Sequence, residues 1–396
     1  MPQLATRHRT ALRLQEAGEG PLDRRATWTE LFFDLVFVVA IAQLADALHA
    51  DVSVRGAAVF AGLFVPVWWT WTTYAYAADL FDDDEGAFGA VLVGAMLLVA
   101  GMAATIPHAF DGRTAGFVVA YGLLRADLVA LYAWAQRTDA RLRPLVGPHL
   151  VGFTAGGLIF VASLAVPGAA RYAVWALAIA VDLITGVLVY VRRGDLPRHL
   201  SHMPERFGLF TLIVLGEAII AVSVGTAQAD WAVGSALTAA LGFALAAALW
   251  RLYFARFDAD VFNWALAGGP SERRRSFVFG YGHLPLLAAI AAVGVGVWVA
   301  IEEAVRGGPA AHAAPLLGVA LAAALLALSA IQSAAPAGLP ARVLAGRLAV
   351  AALAGALAAV GDGLDSLALM AILAIALVAQ TAFEAALDPV GSRAGG

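Results

Sequence analysis

The sequence predicts an all-α, polytopic integral membrane protein: a helix bundle of about twelve transmembrane segments. Three observations carry that expectation. Hydrophobic residues make up 61% of the 396-residue chain and charged residues only 14%, against roughly 25% charged in soluble globular proteins. A mean hydropathy of +0.81 leaves too little polar surface to cover a globule in water. Apolar runs long enough to cross about 30 Å of hydrocarbon recur down the chain between short polar breaks.

The first stretch, residues 1–26, carries Arg7, Arg9, Arg13, Arg24 and Arg25 and has no apolar core followed by a small-residue cleavage site. It reads as a cytoplasmic polar tail and not as a signal peptide. Spans are expected at 28–49, 56–78, 88–106, 116–135, 146–166 and 172–191, then at 207–224, 231–253, 277–301, 313–333, 343–360 and 364–383. The boundaries after Ile301 are the least sharply drawn, because Ala is only marginally apolar and Pro336 and Pro340 crowd one join. The expected organisation is two six-helix halves, 27–193 and 204–385, with a cytoplasmic linker at 194–203 and a cytoplasmic tail at 386–396.

All 25 basic residues are Arg, and their distribution sets an orientation. With the N-terminus in the cytoplasm, twenty fall on the cytoplasmic side, counting Arg251 and Arg347 near the cytoplasmic ends of their spans, four (Arg55, Arg113, Arg171 and Arg306) fall opposite, and Arg125 lies deep within a span. Positive charge is retained on the cytoplasmic side, so the split supports twelve spans across the cell membrane with both termini in the cytoplasm. A weak internal similarity accompanies the count. Glu30-Leu31-Phe32 opens the first helix and Glu205-Arg206-Phe207 the seventh; Trp71-x-x-Tyr74-x-x-x-x-Asp79 closes the second and Trp250-x-x-Tyr253-x-x-x-x-Asp258 the eighth. An even number of helices per half makes the two repeats parallel, related by an axis along the membrane normal.

The absence of Cys removes disulfides, thiolate metal sites and thiol nucleophiles. A net charge of −4 gives no reason to expect a nucleic-acid partner. The sequence has no nucleophile elbow, Walker loop, His-Glu-x-x-His or dinucleotide fingerprint, so no cofactor, no metal and no standard soluble-enzyme chemistry is expected. The partners expected are the lipid bilayer and a small solute.

Ionisable groups within hydrocarbon cost at least a few kcal/mol each, which makes them the natural candidates for function. The deepest are Arg125, Asp127, Asp182 and Glu217. An Arg at that depth needs an acidic partner or water, and Asp182 or Glu217 could supply one; the choice lies between a structural ion pair and a substrate or proton site. Glu217 lies between apolar neighbours and is the leading candidate for coupling. Asp34 shares a helix face with Glu30 and is expected to make a functional polar contact, while Thr27-x-x-Glu30 is a capping box. Glu205 after Pro204 suits a helix start, and Arg206 joins these as structural or capping residues. His283, two residues before Pro285, is placed for gating or ligand contact where the Pro frees a backbone carbonyl.

Other features read as structural. The acidic run 79–85 reads as a solvated loop, because its spacing does not match a calcium loop. His199 and His202 lack a third metal ligand. Trp68, Trp69, Trp71, Tyr74 and Tyr76 are expected to form an interfacial aromatic belt.

Glu30-Leu-Phe-Phe-Asp-Leu-Val-Phe-Val, Pro204-Glu-Arg-Phe-Gly-Leu-Phe-Thr-Leu-Ile-Val-Leu-Gly-Glu217 and Gly282-His-Leu-Pro-Leu286 together resemble the bacterial low-temperature-requirement protein A family. The match in residue type and order runs from about Trp28 to Gly296. The resemblance implies an integral membrane protein linked to growth in the cold and supplies no substrate or reaction. Its recurring polar positions fall on Glu30, Asp34, Glu205, Arg206, Glu217 and His283. The functional expectation is a secondary solute transporter, proton-coupled through Glu217 or Asp34; the alternatives are a membrane-embedded or lipid-modifying enzyme and a membrane sensor or scaffold.

Overall fold

The computed structural model describes residues 27–80, 87–138, 140–192, 203–228, 233–257, 261, 264–265 and 268–387. The basic N-terminal tail, acidic residues 82–85, the linker with His199 and His202, Asp258 and the tail after 387 lie outside the described residues.

Among the described residues there are twelve long α-helices and no strand: α1 (Trp28–Ala50), α2 (Val54–Leu80), α3 (Ala87–Thr105), α4 (Ala115–Thr138), α5 (Arg143–Ala162), α6 (Ala170–Arg192), α7 (Met203–Gln228), α8 (Val233–Phe254), α9 (Pro270–Arg306), α10 (Ala313–Ala334), α11 (Ala341–Val360) and α12 (Ser366–Leu387). Each expected span falls on one of them. Eleven are long and apolar enough to cross a membrane, so the chain is a polytopic membrane helix bundle.

The local chemistry explains where helices start and stop. At α1, the Thr27 N–H donates to Glu30 Oε2 (3.1 Å) and the Glu30 N–H donates to Thr27 Oγ1 (3.2 Å), a reciprocal pair that satisfies two backbone donors at the helix start. Helix α9 begins with Pro270, whose missing N–H costs nothing in a first turn. It ends at Gly307, which adopts φ 65° in the left-handed region, where a side chain would be strained. Its 37 residues make a rod about 55 Å long at 1.5 Å per residue, and it continues through Pro285. The expected span 277–301 is only its apolar middle.

Helix α2 is the exception to the apolar rule. Its segment Pro66–Ala75 contains Trp68, Trp69, Thr70, Trp71, Thr72, Thr73 and Tyr74, and all ten residues are buried. A helix enclosed on every face does not need a lipid-compatible surface. This corrects the expected aromatic belt. Trp68, Trp69, Trp71 and Tyr74 are at most 3% exposed, and Tyr76 is half-buried. The hydroxyls and ring N–H groups among them draw the segment towards polar partners inside the protein.

The chain divides into two compact units, one comprising Met1–Ala40 and Pro66–Met203, the other Ile41–Val65 and Pro204–Gly396. In the first, α4 packs between α3 and α5, and α5 packs between α4 and α6. Three glycines of α5 permit these approaches. A Cβ on Gly152 would collide with the Thr185 side chain, one on Gly156 would lie 2.8 Å from Asp182 Cγ, and one on Gly157 would lie 3.0 Å from Arg125 Cβ. Gly152 and Gly156 are four apart, the spacing that lets membrane helices come close. In the second unit, α9 packs against α8, α10 and α12, α10 packs against α11, and α8 packs against α12. Gly294 of α9 lies against α7, where a Cβ would come 2.8 Å from Ala218 Cα.

Candidate functional site

The first unit holds a continuous polar cluster built from α1, α2, α4 and α6. Arg125, near the middle of α4, is 1% exposed, and Asp182, near the middle of α6, is 0% exposed. Arg125 Nη1 lies 3.7 Å from Asp182 Oδ2, and the Tyr121 hydroxyl donates to the same oxygen at 2.8 Å. Tyr121 is one helical turn before Arg125, so α4 presents both groups to α6. The guanidinium also lies over the Tyr121 ring, 4.9 Å from its centroid.

On its other side Arg125 Nη2 donates to Thr70 Oγ1 at 3.2 Å and Thr73 Oγ1 at 3.1 Å. Those hydroxyls donate their own hydrogens to backbone carbonyls, Thr70 to Pro66 and Thr73 to Thr70. Only their lone pairs face the guanidinium, so α2 offers Arg125 two fixed acceptors. Nε and Nη1 of Arg125 and Oδ1 of Asp182 have no hydrogen-bond partner. Of the two expected acidic partners for Arg125, Asp182 stands beside it; Glu217 belongs to the second unit.

Two further aspartates extend the cluster. The Trp71 indole N–H donates to Asp34 Oδ1 at 2.8 Å, and Asp34 is 2% exposed. The Tyr74 hydroxyl lies 2.7 Å from Asp127 Oδ2 and 3.0 Å from the Leu124 carbonyl oxygen. Thus an aromatic donor faces each of Asp34, Asp127 and Asp182. Buried carboxylates require such donors, because an uncompensated charge in a low-dielectric interior is costly.

In the second unit His283 of α9 is fully enclosed. Its Nδ1 lies 2.7 Å from the Phe279 carbonyl oxygen, which can only accept, so Nδ1 carries the proton. Nε2 of the neutral ring then accepts from the Tyr253 hydroxyl at 2.8 Å. Phe207 of α7 stacks on the imidazole at 4.4 Å between centroids. Both ring nitrogens are therefore occupied, and the ring is closed off by aromatic groups.

Glu217, on α7, is 7% exposed, and its Oε2 has no hydrogen-bond partner. At the start of α7 Glu205 is exposed and Arg206 is buried. Among the described residues, no three His, Asp or Glu are grouped to hold a metal ion.

The profile for the bacterial low temperature requirement A protein (LtrA) family matches residues 25–382, nearly the whole chain. The chain belongs to the LtrA family. A relative from Rhizobium meliloti (strain 1021), described only as an uncharacterized protein, is 29% identical to this LtrA family chain over 282 residues, covering 69% of this chain and 68% of its own length. No solved structure matches.

Several partners of the LtrA family chain were missed in the sequence. Arg347 and Glu384, on α11 and α12, form a buried two-pronged ion pair with both contacts at 2.7 Å, whereas the charge distribution places Arg347 on the cytoplasmic side. Gln380, one turn before Glu384, also donates to it at 2.9 Å. The four-residue spacing of Gln380 and Glu384 was a readable signal. Glu303 accepts from the backbone N–H groups of His312 and Ala313, closing the N-terminus of α10. Thr70, Thr73 and Tyr121 could have been found as polar residues on helices that carry or face an in-span charge.

Proposed function

We propose that this LtrA family protein is a secondary transporter of a small solute across the cell membrane, coupled to an ion gradient in which the proton is the coupling ion. The observation that carries this reading is the Arg125–Asp182 pair: two charges near the middle of their helices, 3.7 Å apart, with Nε and Nη1 of one and Oδ1 of the other left without hydrogen bonds. A buried ion pair is weakly stabilising or destabilising relative to apolar residues of the same volume. Structural need is therefore a poor reason to place one in a bilayer, where such groups mark substrate and ion pathways. Its loose geometry leaves donors and an acceptor for a solute's polar groups or for a proton. Glu217 is a second candidate for coupling in the other unit.

The Arg distribution supports cytoplasmic termini. A membrane-embedded enzyme using His283 as its base is supported less well, since both imidazole nitrogens are engaged and the ring is fully buried.

The test is solute uptake into proteoliposomes under a pH gradient, screened with pooled solutes, with wild type beside Asp182→Asn and Glu217→Gln. A solute-dependent proton flux that either substitution abolishes supports transport. Absence of flux in correctly inserted wild-type protein across the panel rejects it.

A further inference from the structure

The donors around Asp127 distinguish it from the other buried aspartates. The Tyr74 hydroxyl has one hydrogen and two acceptors within reach: Asp127 Oδ2 at 2.7 Å and the Leu124 carbonyl oxygen at 3.0 Å. With Asp127 ionised, the phenol donates to the carboxylate. With Asp127 protonated, its O–H donates to the phenol oxygen, and the phenol hydrogen turns to Leu124, whose carbonyl has a second lone pair beyond its helical bond. Both states leave Asp127 Oδ2, the phenol and the Leu124 carbonyl satisfied, and only a hydroxyl rotor moves. This matters because an unsatisfied buried donor or acceptor costs about 1–3 kcal/mol, enough to lock a site into one protonation state.

The other two aspartates lack this arrangement in the contacts described above. Asp182 is fully buried beside Arg125, and the contact of the Tyr121 hydroxyl is with Asp182 itself. Asp34 faces an indole N–H, which cannot rotate towards another acceptor. Asp127 is also only half-buried, so its carboxyl has an edge that the protein does not cover. The charged and titratable groups facing the Tyr74–Asp127 pair are Arg125 and Tyr132, both on α4, with Asp182 of α6 beyond Arg125. The contacts described for the guanidinium are with Thr70, Thr73 and Asp182, and none of them is a hydrogen bond to Asp127.

We infer that Asp127, with Tyr74 as its switchable partner, is a proton-binding site of the protein. One proton adds to Asp127 Oδ2 as the Tyr74 hydroxyl turns to Leu124, and the reverse rotation accompanies its release. The use of that proton rests on the transport reading, but its binding does not.

The test is infrared titration of wild-type protein in lipid vesicles, following the carbonyl stretch of protonated carboxylic acid. The expected result is a band that fades as pH rises, is absent in Asp127→Asn, persists in Asp182→Asn and shifts in frequency in Tyr74→Phe. Asn and Phe preserve the shapes of the originals, and a thermal unfolding scan of each variant confirms folding. A band unchanged in folded Asp127→Asn overturns the proposal. So does undiminished solute-driven proton flux in that variant. A band that titrates with Asp127 in a protein showing no solute flux sustains the proton site and rejects the transport reading.

Discussion

Replacing Arg125 by Leu, alone and together with Asp182→Leu, separates a charge pair kept for function from one kept for stability. At 3.7 Å and an effective dielectric constant near 20, the attraction between the two charges is about 4.5 kcal/mol. Removing one partner of a buried pair costs about 3–5 kcal/mol, because the remaining charge is left uncompensated. Arg125→Leu strands Asp182 with only the Tyr121 hydroxyl. The double substitution removes both charges and fills the space with apolar side chains. It leaves Tyr121 without its acceptor, a residual cost of about 1–3 kcal/mol. The expected order of stability is wild type, double variant, single variant, with at least 2 kcal/mol or so of coupling recovered in the cycle. Unfolding free energies in detergent micelles give that cycle, and solute uptake gives the functional arm. The double variant is expected to be folded and inactive. Coupling near zero refutes the energetic link between the two residues, and wild-type uptake by the double variant refutes their place in the pathway.

Gly156→Ala drives a Cβ against the Asp182 carboxylate; overpacking of about 1–3 kcal/mol is expected, with a larger loss of uptake than of stability, measured on the same preparation. Tyr253→Phe deprives His283 Nε2 of its donor and is expected to destabilise by about 1–3 kcal/mol, whereas His283→Phe in the same background removes the stranded nitrogen and recovers part of the loss. In the loop before α4, hydrogen bonds from Arg113 and then His108 hold the Asp111 carboxyl down from 3.8 to about 2. Its folded value is the lower one, so its stabilising contribution is complete above about pH 4 and is lost as pH falls through about 2. A carboxyl-resolved NMR titration should show that value in wild type and a rise towards the ordinary range in Arg113→Ala; an unchanged value in the variant contradicts the assigned cause.

The twelve helices were legible because apolar length alone marks a span, and even the Ala-rich α10 to α12 fell where expected. Glu205 lies in the first turn of α7, the place its position after Pro204 suggests. Helix α2 resisted that logic: Trp-rich and Thr-rich sequence reads as interfacial, and only tertiary contacts reveal that Pro66–Ala75 is sealed on every side. Arg125, Asp127 and Asp182 were identifiable from their depth, but the pairing of Asp182 with Arg125 depends on which helix lies beside α4. No spacing along the chain encodes that, and the same applies to Trp71 with Asp34 and Tyr74 with Asp127, separated by 37 and 53 residues. The extension of α9 past its apolar middle was hidden by the polar residues at its ends, 271–275 and 302–303, which give no apolar signal.

The length of α9 has a mechanical consequence. A rod of about 55 Å exceeds the hydrocarbon thickness by nearly its own half, so both its apolar centre and its charged ends belong to one stiff body. One end carries Arg273, Arg274 and Arg275, and the other carries Glu302, which faces His49 at 3.2 Å, and Glu303, which holds the start of α10. Tilting such a lever by about ten degrees around its centre displaces each end by about 5 Å in opposite directions. A modest rotation near Gly294, where α7 is closest, would therefore be amplified at both water-facing ends, and His283 would ride with it.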